Sequence, residues 1–96
     1  MSFLIKGTLI DSNGNPLSGY TIKSFDENAW FAFQDDDLGS AVTEDDDGTF
    51  RIPFTKDAFK KLGDWNEEEP QVYLEIYDEA ENFVQKTEKL TQFFTL

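Results

Sequence analysis

The sequence predicts a mainly β fold, a single antiparallel β-sandwich of about seven strands with Greek-key connections and one short helix near residues 55–62. Three observations lead to this prediction. Runs of alternating apolar and polar residues recur about every ten residues, which is the strand spacing of β-sandwiches. Clusters of Gly, Asn, Asp and Pro separate these runs and are typical of turns. The chain has 96 residues with ten Phe, which suffices for one domain, residues 1–96, around one core.

Strands and turns alternate in the first part of the chain. The segment FLIKGTLI (3–10) alternates in polarity as a strand does. Asn13-Gly14 then suits a tight turn, because both residues tolerate a positive φ. The next strand is YTIKSFD (20–26). The aromatic segment ENAWFAF (27–33) leaves three interpretations open: a short helix, a continued strand, or a loop folded over one end of the core.

A hairpin is predicted in the middle of the chain. The segment LGSAVT (38–43) suits a short strand, and Asp47-Gly48 is the strongest hairpin signal in the sequence. In TFRIPF (49–54) the apolar residues alternate, so we expect them to face the core. Because Pro53 cannot donate a backbone hydrogen bond, this strand should end there or lie at a sheet edge.

The last part of the chain holds the predicted helix and the remaining strands. The segment TKDAFKKLG (55–63) begins with a capping Thr and ends with a Gly, as helices often do. QVYLEIYD (71–78) is the clearest strand, because apolar residues occupy every second position. FVQKTEK (83–89) returns after a turn, and LTQFFTL (90–96) adds a last strand.

The net charge of the chain limits the classes of partner that it can bind. Twenty acidic residues against eight basic ones give a net charge of −12. A protein binds the phosphates of nucleic acid through clustered Lys and Arg, so we expect no nucleic-acid partner. Without a long apolar run we expect no membrane insertion. The predicted partner is a protein or a cation, with self-assembly as an alternative. No signal peptide is recognisable, so a cytoplasmic start or non-classical export is expected, and the compartment stays open.

Three segments of the chain resemble the transthyretin-like, or carboxypeptidase regulatory-like, β-sandwich domains. They are IKGTLIDSNGNPLSGYTI (5–22), DDDLGSAVTEDDDGTFRIPF (35–54) and PQVYLEIYDEAENFV (70–84), and they contain the D..G.PL.G turn and the G.F.I strand of that family. The resemblance implies a sandwich of seven or eight strands that serves as an accessory, adhesive or carrier module. One branch of the family is enzymatic and uses His residues, whereas this chain has no His and ends in QFFTL. We therefore predict that the chain is not an enzyme.

The segment QDDDLGSAVTEDDDG (34–48) holds two runs of three Asp on either side of a short strand. Ca²⁺ prefers carboxylate and carbonyl oxygens, so these runs predict calcium as the cofactor. The stretch FDEN…DDDLG between Phe25 and Gly39 also resembles, locally, the calcium loops of C2 domains. A strand between the two runs places them at opposite ends of the sandwich, as two separate acidic sites.

The candidate metal ligands have a second interpretation. Asp and Gly are good turn formers, and surface carboxylates keep a protein soluble. Both interpretations apply to the same residues. These residues are Asp26, Asn28, Asp35, Asp36, Asp37, Asp45 and Asp47.

Two groups of aromatic residues are candidate partner-binding sites. The first is Trp30, Phe31 and Phe33, which form either a protruding contact loop or a lid on the core. The second is Tyr73 and Tyr77, which share one face of a strand with a glutamate. An exposed aromatic row on a sheet suits binding, whereas a covered row indicates cross-strand packing.

From these observations we predict a non-catalytic binding or accessory module whose acidic loops are ordered by calcium. One alternative is a structural subunit of a fibre or surface assembly, since the chain ends FLI and FFTL suit strand addition between subunits. The competing interpretation is that both ends pair within their own sheet. The other alternative is a small hydrolase, because two carboxylates can act as acid and base without His or Cys.

Overall fold

The computed structural model describes residues 2–27, 36–44, 46–55, 72–88 and 94–95. All strand pairings among them are antiparallel. One sheet has the strand order β4-β1-β7, and the other has the order β3-β2-β5-β6. The strands are β1 (Ser2–Thr8), β2 (Thr21–Asp26), β3 (Asp36–Val42), β4 (Thr49–Thr55), β5 (Val72–Tyr77), β6 (Phe83–Lys86) and β7 (Phe94–Thr95).

This arrangement confirms the predicted mainly β fold with antiparallel sheets. Six strands have four residues or more, and β7 has only two. The predicted count of about seven strands is therefore reached only if the two residues of β7 are counted as a strand. No helix occurs in the part of the chain that the structure describes. The helix predicted near 55–62 lies outside that part, except for Thr55, which ends β4. Within the same described ranges, no helix is long and apolar enough to cross a membrane.

One hydrophobic core lies between the two sheets. Along β4 the inward residues are Phe50, Ile52 and Phe54, as the alternation predicts. Pro53 is exposed on β4, which lies at an edge of its sheet, where a missing backbone donor is tolerated. The core cluster draws on both sheets and consists of Phe3, Ile5, Phe50, Ile52 and Phe54 from one, and Ile22, Leu38, Val72, Leu74 and Ile76 from the other.

Gly7 of β1 makes room for the ring of Phe50 on the neighbouring strand. The two residues are directly opposite in register, and a Cβ on Gly7 would lie 2.9 Å from Cζ of Phe50. A glycine inside a strand weakens the strand, and an aromatic ring laid over it restores the missing packing. A larger residue at this position would therefore have to displace the ring of Phe50.

A β-bulge in β3 sets the position of its first residues. Ser24 pairs with Gly39 and Phe25 pairs with Asp37, so Leu38 is the extra residue, and its side chain is buried in the core. Gly39 has a φ of +117°, which glycine adopts without strain. Oγ of Ser24 donates a hydrogen bond to the carbonyl oxygen of Gly39 at 2.8 Å. The bulge lets Leu38 fill the core, and it shifts the register between β2 and β3 by one residue from Phe25 onward.

Candidate functional site

The described Asp residues of the acidic segment lie at opposite ends of β3. Asp36 and Asp37 begin the strand, whereas Asp46 and Asp47 follow its end, in the turn to β4. The two runs therefore belong to different ends of the molecule. The other candidate ligands of the sequence analysis, Asn28, Asp35 and Asp45, lie outside the described residues.

Asp26 ends β2 on the inner face of the four-stranded sheet, and its side chain is 0% exposed. Its Cα partners are Asp36 in β3 and Val72 in β5. The backbone thus brings two of the candidate ligands, Asp26 and Asp36, next to each other. Burying a carboxylate is costly unless neighbouring groups offset the loss of water. Among the acidic residues that the structure describes, Asp26 therefore suits the role of a turn former or a solubilising group least.

Asp37 lies on the other face of the same sheet. It pairs with Phe25 and is exposed, whereas Asp26 is buried on the inner face. Its Oδ1 accepts a hydrogen bond from the backbone N–H of Gly39 at 2.8 Å, which closes the bulge. Among the described residues, no three Asp, Glu, His or Cys side chains are grouped closely enough to hold a metal ion.

Asp47 forms the turn between β3 and β4. Its Oδ1 accepts hydrogen bonds from Oγ1 of Thr49 at 2.7 Å and from the backbone N–H of Thr49 at 3.0 Å. These bonds, with the hydroxyl of Thr49 as the largest cause, hold the pKa of Asp47 below its usual value. Backbone hydrogen bonds from Glu44 to Thr49 and from Gly48 to Glu44 close the same turn. The geometry of this carboxylate is that of a turn former.

Two further loops share one hydrogen-bond pattern, which the sequence analysis missed. They are Asp11–Asn15, between β1 and β2, and Asp78–Asn82, between β5 and β6. In each loop Oδ1 of the Asp accepts hydrogen bonds from the backbone N–H groups of the third and fifth residues, all at 2.9 Å. Nδ2 of the final Asn donates to the other carboxylate oxygen at 3.4 and 3.3 Å. We call these segments the twin loops.

The hydrogen bonds of the twin loops have an electrostatic effect. They lower the pKa of Asp11 and of Asp78, and the backbone N–H of the loop's final Asn is the largest cause in both. The fourth residue of each loop has a positive φ, +86° at Gly14 and +66° at Glu81. The shared sequence signal is Asp-x-x-x-Asn, and it was obscured because only the first loop has a glycine at the fourth position.

The outer face of the four-stranded sheet carries two rows of side chains that cross all four strands. Along β2 the neighbours of Lys23, Ile22 and Ser24, are buried on the inner face, so Lys23 points outward. The register extends each outward position to the adjacent strands. The apolar row is Val42, Thr21, Tyr77 and Phe83, and the charged row is Ser40, Lys23, Glu75 and Lys86.

Lysines and aromatic rings pack against each other on this outer face. Nζ of Lys23 lies 4.4 Å from the ring centroid of Tyr77, and Nζ of Lys86 lies 4.3 Å from that of Tyr73. The Tyr73 ring also stacks on Phe25 at 5.4 Å, which helps to leave Tyr73 only 7% exposed. Cation–π contacts of this kind are favourable because the ring face is electronegative. The aromatic row predicted from Tyr73 and Tyr77 is therefore covered at its Tyr73 end.

The Tyr77 end of the outer face remains more open. The hydroxyl of Tyr77 donates a hydrogen bond to Oε1 of Glu75 at 2.8 Å. This bond is the largest cause of the raised pKa of Tyr77. Phe83 packs edge-on against Tyr77 at 5.8 Å and is 57% exposed. Val42, at the other end of the apolar row, is 58% exposed. Two of the most exposed large apolar side chains in the described residues thus end one row.

The aromatic segment singled out by the sequence analysis contributes nothing to this description. Trp30, Phe31 and Phe33 lie outside the described residues. The partner-binding role predicted for them stays a prediction.

Comparison with known proteins yields a likeness in fold. No protein-family model matches the chain, and no curated protein matches it significantly. A crystal structure of a 9R-lipoxygenase from Cyanothece PCC8801 is similar, with a TM-score of 0.59 and 22% sequence identity. The match covers 92% of this chain but only 13% of the lipoxygenase chain. At this identity the likeness shows the fold alone, and this chain corresponds to a small part of that enzyme.

Proposed function

We propose that this chain is a non-catalytic binding or accessory module of the transthyretin-like type, and that it binds its partner through the outer face of the four-stranded sheet. The supporting observation is that the apolar row and the charged row lie side by side on this face. Exposed apolar side chains next to fixed charges are the usual ingredients of a protein-binding surface. The strands form a rigid scaffold beneath them, with Lys23 and Lys86 held over tyrosine rings.

The likeness to part of a larger chain supports an accessory role. A fold that matches 13% of a lipoxygenase chain occurs there as one part of a longer protein. The transthyretin-like assignment draws support from the pairing of two antiparallel sheets around one core. These features agree with the module that the family resemblance implies.

A non-catalytic role agrees with the residues available. The sequence has no His and no Cys, so a catalytic site would have to rely mainly on carboxylates. Asp26 and Asp37, which come from adjacent strands, lie on opposite faces of one sheet. This pair cannot flank a bond as the two carboxylates of a glycosidase do.

The proposal is tested by capturing partners from extracts of the source cells with immobilised protein. The double variant Val42→Ser with Phe83→Ser removes both exposed ends of the apolar row. The control is Ile10→Ser, which alters an exposed apolar residue (53% exposed) that lies between β1 and β2 and belongs to neither row. We expect wild type and control to retain the same partner and the double variant to lose it. Retention by the double variant would show that another surface binds.

Calcium binding is a second candidate function, favoured by one observation. The register places Asp26, which is fully buried, directly opposite Asp36. We expect added Ca²⁺ to raise the melting temperature and EDTA to reverse the increase, because a ligand of the folded state stabilises it. Asp26→Asn should abolish the increase, and Asp47→Asn, in the turn at the other end of β3, should preserve it. An unchanged melting temperature in millimolar Ca²⁺ would remove this candidate.

The assembly alternative takes a different form once the strand order is known. β1 pairs with β4 on one side and with β7 on the other, so the FLI segment is paired within its own sheet. β6 ends the other sheet, but it is only four residues long, contains a bulge and carries Lys86. Short length, bulges and lysines are devices that oppose strand addition at an edge. Self-association through a sheet face therefore fits the molecule better than strand addition at β6.

A further inference from the structure

We propose that the partner of the outer face is a second copy of this chain, packed face to face in a two-fold symmetric dimer. This inference rests on the proposed function, because it names the occupant of the same surface. It follows from which residues of the two rows face each other when the outer faces of two copies are stacked.

The charged row is complementary to itself in one orientation. If the two-fold axis runs parallel to the strands, midway between β2 and β5, each row lies over the same row of the other copy with the strand order reversed. Lys23 then faces Glu75 of the second copy, and Glu75 faces Lys23 of the second copy, because these residues are adjacent in register. At the ends of the row, Ser40 and Lys86 face each other.

The apolar row is complementary in the same orientation. Val42 and Phe83, which are 58% and 57% exposed at opposite ends of the row, come to face each other across the dimer. Thr21 faces Tyr77 of the second copy. In this one orientation Val42 and Phe83 cover each other, and Lys23 and Glu75 are each placed opposite a residue of the other charge. Sheets that pack face to face keep their strands within roughly 30° of alignment, which this orientation allows.

The other two-fold orientation fails on charge. With the axis in the plane of the sheet but perpendicular to the strands, and passing through the charged row, Lys23 would face Lys23 and Glu75 would face Glu75. Like charges placed opposite each other across an interface are strongly unfavourable. The order of the charges along the row therefore selects the orientation with the axis parallel to the strands.

The net charge of the chain also favours this face over others for self-association. The chain carries −12, so most contacts between two copies bring carboxylates together. The charged row instead carries Lys23 and Lys86 against Glu75, which gives a local charge of +1 from two cations and one anion. Within the two rows Glu75 is the one carboxylate, and in this orientation it faces Lys23, whereas Asp37 is exposed on the same face in the next row.

The size of the face predicts a weak dimer. Four strands at the usual spacing place the outermost columns about 14 Å apart, and Tyr73 in the next row is already covered. An interface of two rows falls well below the area of a stable complex. We therefore expect association only at high protein concentration.

The test is sedimentation equilibrium of the full chain, with protein up to about a millimolar because small interfaces bind weakly. We expect Lys23→Glu and Glu75→Lys each to weaken association at least about tenfold, since each places two like-charge pairs in the dimer. The double variant Lys23→Glu with Glu75→Lys restores opposite charges and should recover most of the wild-type association. Melting temperatures confirm that each variant is folded.

Matched controls separate local pairing from net charge. Arg51→Glu and Glu44→Lys make the same charge changes at exposed positions on other surfaces, β4 and the turn that precedes it. They should leave association nearly unchanged. As a second probe, Phe83→Ser should weaken association without altering any charge.

Wild-type protein that stays monomeric at every concentration would overturn the dimer. Failure of the double charge exchange to restore association in a dimerising protein would also overturn it. Either result leaves the proposed binding function standing if the Val42→Ser with Phe83→Ser variant still loses a captured partner. Retention of that partner by the variant, in contrast, is a failure of the proposed function itself.

Discussion

Gly48 lies so close to the backbone of Leu9 that a Cβ on Gly48 would be 2.6 Å from the carbonyl oxygen of Leu9. The backbone N–H of Leu9 donates a hydrogen bond to the carbonyl oxygen of Gly48 at 2.9 Å. The same imagined Cβ would be 3.1 Å from the backbone nitrogen of Leu17. The turn between β3 and β4 is thereby attached to the base of the first hairpin, and only glycine fits the junction.

We predict that Gly48→Ala lowers the free energy of unfolding by at least about 2 kcal/mol, because it combines a backbone clash with a left-handed conformation. Gly48 has a φ of +68°. The matched control is Gly14→Ala, at a φ of +86° with nothing within 4 Å of the added Cβ. The control should lose only about 1 kcal/mol. Urea denaturation measures both losses, and equal losses would contradict the role given to the clash.

The twin loops predict a stabilising substitution. Glu81 occupies the position that Gly14 occupies in the other loop, with a φ of +66°. We expect Glu81→Gly to raise the free energy of unfolding by about 0.5–1 kcal/mol, since glycine adopts this conformation without the strain of a Cβ. Ala80→Gly, one residue earlier and without a positive φ, should not stabilise the protein. Thermal and urea denaturation of both variants distinguish them, and a destabilised Glu81→Gly protein would contradict the equivalence of the loops.

The lowered pKa values predict how stability depends on acid. The carboxyl groups of Asp11, Asp47 and Asp78 have pKa values below 3.8, their value in the unfolded chain. The folded state therefore binds fewer protons, and the stabilisation is fully present well above pH 3.8 and is lost as the pH falls through the lowered values.

We expect the free energy of unfolding to fall below about pH 4 and Asp78→Asn to reduce that dependence. A second variant, Asn82→Ala, removes the side-chain amide that donates to Asp78 and should reduce the same dependence in part. Urea denaturation across acidic buffers is the measurement, and an Asp78→Asn protein with the wild-type slope would show that this hydrogen-bonded carboxylate contributes nothing.

Gly7 and Phe50 are predicted to be energetically coupled. Gly7→Ala should cost more than 1 kcal/mol in the wild type, roughly the lower range for overpacking, because the new methyl meets the Phe50 ring. In a Phe50→Leu background the same change should cost clearly less, since the shorter side chain leaves room. A double-mutant cycle followed by urea denaturation gives the coupling, and additive losses would contradict the packing of the ring on Gly7.

Local patterns predicted much of the fold. In β4 and β5 the alternation of apolar residues gave the buried face correctly, because the side-chain period of a strand is a local property. Pro53 indicated an edge strand for a similarly local reason. The bulge at Leu38 was not predicted, since an extra residue in one strand becomes visible only against the register of its neighbour.

The candidate site depended on information that a single sequence lacks. The charged row forms because β2 lies beside β5, and nothing in the local pattern of either strand indicates this order. Lys23, Glu75 and Lys86 were therefore not grouped from the sequence, although Tyr77 and Glu75 were placed on one face. The opposite ends of the acidic segment were predictable, because a single strand separates the two runs and fixes their distance.

The twin loops make two parts of this domain interchangeable. Each loop is held by the carboxylate of its first residue, which accepts hydrogen bonds from the backbone N–H groups of the third and fifth residues, so the side chains of the second and third residues can vary, whereas the fourth residue must adopt a positive φ. A segment selected or designed in one loop can be moved to the other with its backbone shape preserved. The domain thus offers two equivalent grafting positions, which makes it a candidate scaffold for displaying short peptides.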